Sequence, residues 1–382
     1  MIAGLGPNAS LIDLADQAMA RGDVRQAASF LELASLHGHD ASTLLRLATV
    51  RRSMGDLPGA TQAAAAAVEL SPRNFLLALL LGSLRENSGA YHAAERAYRV
   101  ACAYAPRKTS VQPAMAKQLE RARRRVDAAE SWRKHLLEWQ ADGEFRALTP
   151  DEERRLRHFR GNVLENLDAG PTAPPVFLLP GIRSRRYFDA AAFPRVAEME
   201  SRTAAIRDEF LALAERSSAA ITSRLTGLHA AECDAGRTGN WSMIPLIRNG
   251  SVVDEFAARC PETMRLAQGL DLPQLGLISP SLYFSVLEPN SRIAPHTGIT
   301  NARAILHLPL IVPADCGLRV GGETRRWEVG KALVFDDMTL HEAWNDSDRI
   351  RVVLIADLWR PELSSLERRG VADLMNCPGL VD

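Results

Sequence analysis

The first third of the chain has a pattern of hydrophobic and polar positions that predicts helices. Alanine and leucine dominate it, and runs of β-branched residues are nearly absent, which favours helix over strand. Pro72 follows AVELS and Pro106 follows CAYA. A proline ends a helix because it lacks a backbone N–H and its ring clashes with the preceding turn. The pattern therefore predicts a helical region whose helices end at regular places.

Small residues and prolines recur in this region at a fixed spacing. Residues that recur 33 or 34 positions apart are Gly22, Gly55 and Gly89; Ala27, Ala60 and Ala94; and Pro72 and Pro106. This is the period of tetratricopeptide helix pairs, in which small residues let antiparallel helices approach each other. Three units over roughly residues 8–108 resemble that family. An Ala-rich helical bundle without repeat geometry is the alternative.

The next segment continues as charged helix and ends in a break. RARRRV at 121–126 and DEERRLRH at 151–158 are rich in arginine, but acidic residues are interleaved and no aromatic stacking pattern accompanies them. A solvated helix face is therefore favoured over a nucleic-acid site. DAGPTAPP at 168–175 is rich in proline and glycine and is predicted to be a linker.

Beyond the linker the period of the pattern changes. After a helical stretch near 196–217, short apolar runs are bounded by Gly, Pro, Asn or Asp: SLYFSVLEP, RAILHLPLIV, CGLRV, TRRWEV, KALVFDD and RVVLIADLW. Strands joined by tight turns predict an antiparallel sandwich or barrel, of which the jelly-roll double-stranded β-helix is one form. We therefore predict an α+β multidomain protein with TPR-like repeats at 1–108, a helical extension and linker at 109–170, and a barrel at 171–382.

Composition excludes several classes of protein. The 46 basic and 46 acidic side chains give a formal net charge of zero, so no overall field steers the chain to nucleic acid or to an anionic membrane. Five scattered cysteines without a CxxC pair favour reduced thiols. No apolar run reaches the roughly 20 residues that cross a bilayer, and the N-terminus does not resemble a signal peptide. We expect a cytoplasmic protein with no membrane span and no nucleic-acid partner.

Two histidines and an arginine lie where predicted strands begin or end. His296 follows a proline, His341 follows KALVFDDMTL, and Arg351 opens RVVLIADLW. In that strand Arg351 and Asp357 share parity, so both point to the same side. Imidazoles from two strands suit one face of an iron(II) ion, and a guanidinium suits a carboxylate such as that of 2-oxoglutarate. The alternative for each histidine is a structural, hydrogen-bonded role.

Longer segments resemble the aspartyl/asparaginyl β-hydroxylase family. They are FLLPGIRSRRYFDAAAFP (177–194), GNWSMIPLIRNG (239–250), FSVLEPNSRIAPHTGITNARAILHLPLIVP (284–313), WEVGKALVFDDMTLHEAWN (327–345) and RVVLIADLWRPEL (351–363). They occur in the family's order and at its spacing. The resemblance implies a dioxygenase on a double-stranded β-helix that uses iron(II), 2-oxoglutarate and O2, and bacterial members often carry tetratricopeptide units in front.

The resemblance also assigns roles to individual residues. It implies His296 and His341 as catalytic iron ligands, and Arg351 as the residue that anchors the 2-oxoglutarate carboxylate. Three further residues match positions that line the cosubstrate pocket: Trp241, Ser285 and His307.

Gly298 lies two residues after the first histidine, where most related oxygenases carry an acidic third iron ligand. Glycine is characteristic of this family, so water is expected to complete the iron coordination. A nearby carboxylate is the alternative third ligand, and the candidates are Asp336, Asp337 and Glu342. Acidic residues at strand ends are, however, more often turn and cap residues.

Ile305 marks a departure from the family. Animal members carry an arginine at this position, two residues before His307, so recognition of charge on cosubstrate or substrate is expected to differ here. Arg303 lies on the same strand face as Ile305 and His307. It could meet a substrate carboxylate, and a surface role is the alternative.

The resemblance implies hydroxylation of an unactivated C–H bond, that of the β-carbon of Asp or Asn in a peptide or protein. Alternative substrates are a small molecule or a lipid acyl chain. A different class of function is a TPR-type interaction module that binds a protein partner and carries a non-catalytic barrel. A cupin-like metal protein without redox chemistry is a third class. The joint presence of His296, His341 and Arg351 argues against a non-catalytic barrel.

Overall fold

The computed structural model describes residues 7–38, 40–106, 113–216, 241–276 and 278–376, which form two compact units. The first unit contains the described residues up to Ser131 together with Leu167–Pro174. The second contains Trp132–Asn166 and the described residues from Pro175 on. The predicted boundary after residue 108, two of the cysteines (233 and 377) and the start of one resembling segment (239–240) lie outside the described residues.

The first unit is a stack of helices. They are α1 (Pro7–Ala20), α2 (Val24–His37), α3 (Ala41–Ser53), α4 (Leu57–Leu70), α5 (Phe75–Asn87), α6 (Tyr91–Tyr104) and the first part of α7 (Pro113–Glu138). Helix α1 packs on α2, α3 on α4 and α5 on α6, and neighbouring pairs contact each other through α2–α3 and α4–α5. Each pair needs its neighbours to bury its apolar face. This arrangement confirms the prediction of TPR-like repeats.

The recurrent glycines lie in the turn inside each helix pair. Gly22, Gly55 and Gly89 have φ angles of +78°, +79° and +85°. Residues with a side chain avoid this left-handed region, whereas glycine enters it freely. Asp23 and Asp56 follow the first two glycines, and their side chains accept a backbone N–H from the first turn of the next helix. The spacing seen in the sequence therefore marks a turn of fixed geometry.

The second unit begins within the helical extension. It includes α7 from Trp132 onward and α8 (Pro150–Asp168) as far as Asn166. The indole of Trp132 donates to the carbonyl oxygen of Leu374 at 3.0 Å. This hydrogen bond connects the helical extension after residue 131 to α13 (Ser365–Met375), the last helix among the described residues.

The proline-rich segment 167–174 packs with the first unit. Arg85 donates to the carbonyl oxygen of Pro171, and Arg96 donates to that of Ala173. The segment that the sequence predicts to be a linker thus has backbone carbonyls bound by guanidinium groups of α5 and α6. The predicted three-part division of the chain stays a prediction.

The rest of the second unit is built on antiparallel strands. They are β1 (Tyr187–Phe188), β2 (Trp241–Arg248), β3 (Ser251–Val252), β4 (Leu282–Leu287), β5 (Ser291–His296), β6 (Arg303–Ile311), β7 (Cys316–Val320), β8 (Glu323–Arg325), β9 (Leu333–Asp336), β10 (His341–Asn345) and β11 (Arg351–Trp359). Among the described residues the large sheet has the order β1-β9-β6-β11-β4-β2-β3 and the small sheet β5-β10-β7-β8. Two facing antiparallel sheets confirm the predicted jelly-roll class.

Strands β6 and β11 of the large sheet are buried on both faces. Ile305 and Ile355 face the small sheet, where they share a core with Leu318 of β7. Their neighbours Leu306 and Leu354 point the opposite way into a second apolar core. The elements α9 (Val196–Ser201), α10 (Thr203–Arg216), α11 (Asp254–Ala257) and α12 (Pro261–Gln268) lie on that side. Because side chains alternate along a strand, polar residues of inward parity must lie between the sheets.

No helix of the described residues combines the length and the apolar content needed to cross a membrane.

Candidate active site

Two imidazoles meet where strands of the small sheet pair. His296 ends β5, His341 begins β10, and the two are register partners. Their ring centroids lie 4.2 Å apart. Each Nδ1 lies 2.8 Å from the carbonyl oxygen two residues earlier, that of Ala294 or Thr339. Because a carbonyl only accepts, each Nδ1 carries the proton and each Nε2 keeps a lone pair that can bind a metal.

These histidines line a cavity of about 100 Å³ between the two sheets. Residues of the large sheet that line it are Trp241, Tyr283, Ser285, Arg303, Ile305, His307, Phe335, Arg351, Ile355 and Asp357. The small sheet contributes Ile293, His296, Leu318, His341, Glu342 and Ala343. The structure thus brings together all seven residues that the sequence singled out as site residues.

Burial keeps two of the cavity's histidines neutral. Desolvation, together with the nearby His296, lowers the pKa of His341 to about 4. Desolvation also lowers the pKa of His307 well below its usual value, and Arg351 is the second cause. A neutral imidazole is the form that binds a metal or accepts a hydrogen bond through one nitrogen.

A guanidinium lies at the inner end of the cavity. Arg351 is 1% exposed, and its Nη1 donates to the carbonyl oxygen of Ser285 at 3.2 Å and to its Oγ at 3.0 Å. The indole of Trp241 donates to the same hydroxyl at 2.9 Å. Burial lowers the pKa of Arg351 to about 10, so it remains a cation at neutral pH. No carboxylate of the described residues forms an ion pair with Arg351, and a buried cation of this kind favours binding of an anion.

Several buried polar atoms beside this guanidinium have no hydrogen-bond partner among the described residues. They are Nε of Arg351, Nδ1 of His307 and Nε1 of Trp327. The ring of Trp327 lies over the guanidinium, with the guanidinium carbon 4.9 Å from the ring centroid, and stacks on His307 at 6.0 Å. Buried polar groups are rarely left unsatisfied, and the N–H groups of Arg351 and Trp327 are donors, so they indicate a ligand with acceptor oxygens.

The space beside Gly298 is filled by a carboxylate. A Cβ added to Gly298 would lie 1.8 Å from Oδ2 of Asp337, and the backbone N–H of Gly298 donates to the carbonyl oxygen of Asp337 at 2.7 Å. An acidic side chain at position 298 would therefore collide with Asp337. This contact explains why the loop requires glycine there.

Arg303 is buried between two carboxylates. Its Nε donates to Oδ2 of Asp337 at 2.9 Å, and its Nη1 lies 3.3 Å from Oδ2 of Asp357. Nη1 also donates to the carbonyl oxygen of Ile278 at 3.0 Å. Arg303 is 4% exposed, which excludes the surface role considered as an alternative.

The other acidic candidates for a third metal ligand have separate partners. Asp336 accepts the backbone N–H of Arg185 at 3.0 Å, and Glu342 accepts from Nε of Arg319 at 2.6 Å. Among the described residues no group of three or more His, Cys, Asp or Glu side chains is arranged to hold a metal ion. Within the described part of the chain, His296 and His341 therefore meet without a third His, Cys, Asp or Glu side chain in a metal-binding arrangement, and completion of the iron coordination by water stays a prediction.

The sequence did not indicate that Trp327 lies against Arg351 or that two carboxylates surround Arg303. Trp327 lies in the irregular segment between β8 and β9, where no strand parity predicts its direction. Asp337 follows the end of β9 and is distant in sequence from Arg303. Only the shared parity of Arg351 and Asp357 signalled that a second polar residue of β11 points inward.

The part of the chain that carries the site is similar to a known protein family. Residues 200–361 match the family model described as aspartyl/asparaginyl beta-hydroxylase. We call this range the hydroxylase-like region. It contains both histidines, Arg351 and the strands that carry them, and the resemblance stated from the motifs is confirmed.

Several relatives match over the same part of the chain. A mouse protein named aspartyl/asparaginyl beta-hydroxylase is 33% identical over 46% of this chain and 23% of its own length. A rat aspartate beta-hydroxylase domain-containing protein 2 is 32% identical over 54% of this chain and 60% of its own length. An ornithine lipid ester-linked acyl 2-hydroxylase from Rhizobium tropici is 34% identical over 46% of this chain and 60% of its own length. The chain thus spans between about a quarter and 60% of these relatives.

Proposed function

We propose that the hydroxylase-like region is an iron(II)- and 2-oxoglutarate-dependent dioxygenase that hydroxylates the β-carbon of Asp or Asn in a peptide or protein. The proposal rests on one observation. The imidazoles of His296 and His341, whose Nε2 lone pairs can bind a metal, line the same cavity as Arg351, a buried cation that favours binding of an anion. The family match and the relatives named as β-hydroxylases support the hydroxylation.

The residues present fit both implied groups. His296 and His341 would hold the ferrous ion, with water in place of an acidic ligand because Asp337 occupies the space beside Gly298. Arg351 would hold the far carboxylate of 2-oxoglutarate. When bound, iron and 2-oxoglutarate supply the oxidation of a C–H bond that no side chain performs by itself.

The side chains of the protein position the bound ligands and keep water out of the cavity. Ser285, held by Trp241, fixes the guanidinium of Arg351, so the anion site is formed before a ligand arrives. Phe335 and Leu318 line the cavity with apolar surface. Fewer waters and a lower local dielectric strengthen the charge pairing inside.

A direct test is to load the protein with iron(II) without oxygen and to add 2-oxoglutarate. We expect a visible charge-transfer band, and we expect succinate after oxygen is admitted. His296→Ala should abolish both signals, whereas His158→Ala, at an exposed position of α8, should leave them unchanged. Arg351→Ala should raise the 2-oxoglutarate concentration required by at least about tenfold, because a charge-assisted contact is lost. An unchanged signal in His296→Ala would overturn the proposal.

A second substrate class has specific support. One relative is named as an acyl 2-hydroxylase, and the cavity wall contains Ile293, Ile305, Leu318 and Ile355. Succinate formation that is stimulated by an acylated amphiphile but by no peptide would favour a lipid acyl chain or another small molecule as substrate.

We further propose that the TPR-like repeats bind a protein partner or the peptide substrate. The stacked helix pairs of the first unit support this, because such stacks present a continuous surface to extended peptides. Capture of one defined partner by the full chain, lost when residues of the repeats are altered, would test it.

A further inference from the structure

The charges that line the cavity restrict the substrate. Among its described lining residues only Arg303 and Arg351 carry a guanidinium. Under the proposed function the far carboxylate of 2-oxoglutarate would pair with Arg351, and its other carboxylate would bind the ferrous ion. Arg303 is then the guanidinium of the lining that remains for a charged substrate.

The positive charge of Arg303 is already neutralised by neighbouring carboxylates. Its guanidinium is bound by Asp337 at 2.9 Å and by Asp357 at 3.3 Å, and all three side chains are less than 8% exposed. Burial raises the pKa of Asp357. Even with Asp357 protonated, the carboxylate of Asp337 balances the guanidinium. The cluster is therefore neutral or negative in either state.

Ile305 makes the wall between Arg303 and His307 apolar. These three residues share the inward face of β6, and each lines the cavity. Ile305 pairs with Phe335 of β9 and with Asp357 of β11. A substrate carboxylate placed here would face an alkyl side chain and an already neutralised guanidinium. Burial of a carboxylate without a partner is strongly unfavourable.

We propose that the site selects a peptide side chain that is neutral, an amide as in asparagine, and rejects a carboxylate as in aspartate. Ile305 contributes to this choice because it places no cation on the cavity wall, and Asp337 and Asp357 contribute because they neutralise Arg303. The inference rests on the proposed function, which it narrows from two side chains to one.

Two peptide pools with identical randomised flanks and a central Asn or a central Asp test this selection. Metal-free protein is immobilised with saturating 2-oxoglutarate, which keeps Arg351 occupied, and the ratio of captured Asn to Asp peptide is measured by mass spectrometry. The loaded protein is then assayed for a 16 Da gain at the central residue and for succinate. We expect a preference of at least about tenfold for Asn in both readouts, as an unpaired buried charge implies.

Two variants add positive charge by independent routes. Ile305→Arg supplies a cation, and the double variant Asp337→Asn with Asp357→Asn removes both carboxylates that neutralise Arg303. Each should reduce the preference for Asn by at least about tenfold, and one remains informative if the other does not fold. Ile305→Met, neutral and similar in volume, is the matched control and should keep the preference.

Equal capture of the two pools by the wild type, capture of neither, or an unchanged ratio in the folded charge variants would overturn the inference. Failure of the oxygenase proposal would give a different result from failure of this inference. The iron-loaded protein would then neither bind 2-oxoglutarate nor form succinate, whatever the ratio of Asn to Asp peptide captured by the metal-free protein.

Discussion

At the scale of single residues, the site depends on small backbone contacts that fix large side chains. The carbonyl oxygens of Ala294 and Thr339 hold the protons of two imidazoles on Nδ1. Ser285 fixes the guanidinium of Arg351. These contacts set tautomer and direction before any ligand binds, which lowers the ordering cost of binding.

Gly298→Asp is expected not to create a working third ligand. Its Cβ would overlap the carboxylate of Asp337, so the loop must distort, and overpacking of this kind costs about 1–3 kcal/mol. We expect a lower denaturation midpoint and no gain in iron affinity, measured by urea unfolding and by metal titration. Asp337→Gly removes the overlap, so Gly298→Asp should lower the midpoint less on the Asp337→Gly background than on the wild type. A Gly298→Asp protein that binds iron more tightly than the wild type and unfolds at the wild-type midpoint would contradict the predicted overlap with Asp337.

At the scale of secondary-structure elements, the repeat glycines and the alternating strands had clear sequence signals. The spacing of Gly22, Gly55 and Gly89 predicted the helix pairs because only glycine suits that turn. The parity of Arg351 and Asp357 predicted that both face one side of β11, and both line the cavity.

Strand pairing was beyond the reach of the sequence. The large sheet places β6 between β9 and β11, neither of which is next to β6 along the chain. Arg303 meets Asp337 and Asp357 only because of that order. Periodicity identifies which residues share a face of one strand, but it does not determine which strands become neighbours. The charge balance of the cavity therefore required the structure.

Gly55→Ala is expected to destabilise the first unit. At a φ of +79° a side chain costs about 1 kcal/mol, and no atom lies within 4 Å of the added Cβ, so the cost is conformational. Gly161→Ala in α8 is the matched control, because its added Cβ also meets no atom within 4 Å. That change should stabilise its helix by about 0.5–1 kcal/mol. In urea unfolding followed by circular dichroism, Gly55→Ala should lower the denaturation midpoint and Gly161→Ala should raise it. Equal midpoint shifts in the two variants would contradict the role of the turn.

At the scale of the whole molecule, a chain of zero formal charge contains deeply buried ionisable groups in both units. The first unit buries His92 on α6, and the second buries His307 and His341. The family resemblance predicted the second set from motif spacing. Nothing in the sequence distinguished His92 from an exposed helical histidine, because burial on α6 depends on which helix packs against it.

The pH dependence of stability should reflect His92. Burial lowers its pKa to about 3, whereas the unfolded value is about 6.5. Below about pH 6.5 the unfolded chain binds a proton there that the folded chain does not, so the stabilisation is lost as pH falls from about 6.5 towards 3.

His92→Gln should therefore flatten the loss of urea midpoint between pH 7.5 and pH 5.5. The exposed His158→Gln is the control and should follow the wild type. An identical slope in His92→Gln would show that His92 does not titrate on unfolding.

The guanidinium contacts to segment 167–174 affect how the protein can be divided for experiments. A protease must draw an extended strand with open carbonyls into its cleft, yet the carbonyls of Pro171 and Ala173 are engaged by Arg85 and Arg96. We expect this stretch to resist limited digestion in spite of its hinge-like composition. A truncation at residue 168 would remove those acceptors from α5 and α6, so a better expression boundary keeps residues 167–174 with the repeats.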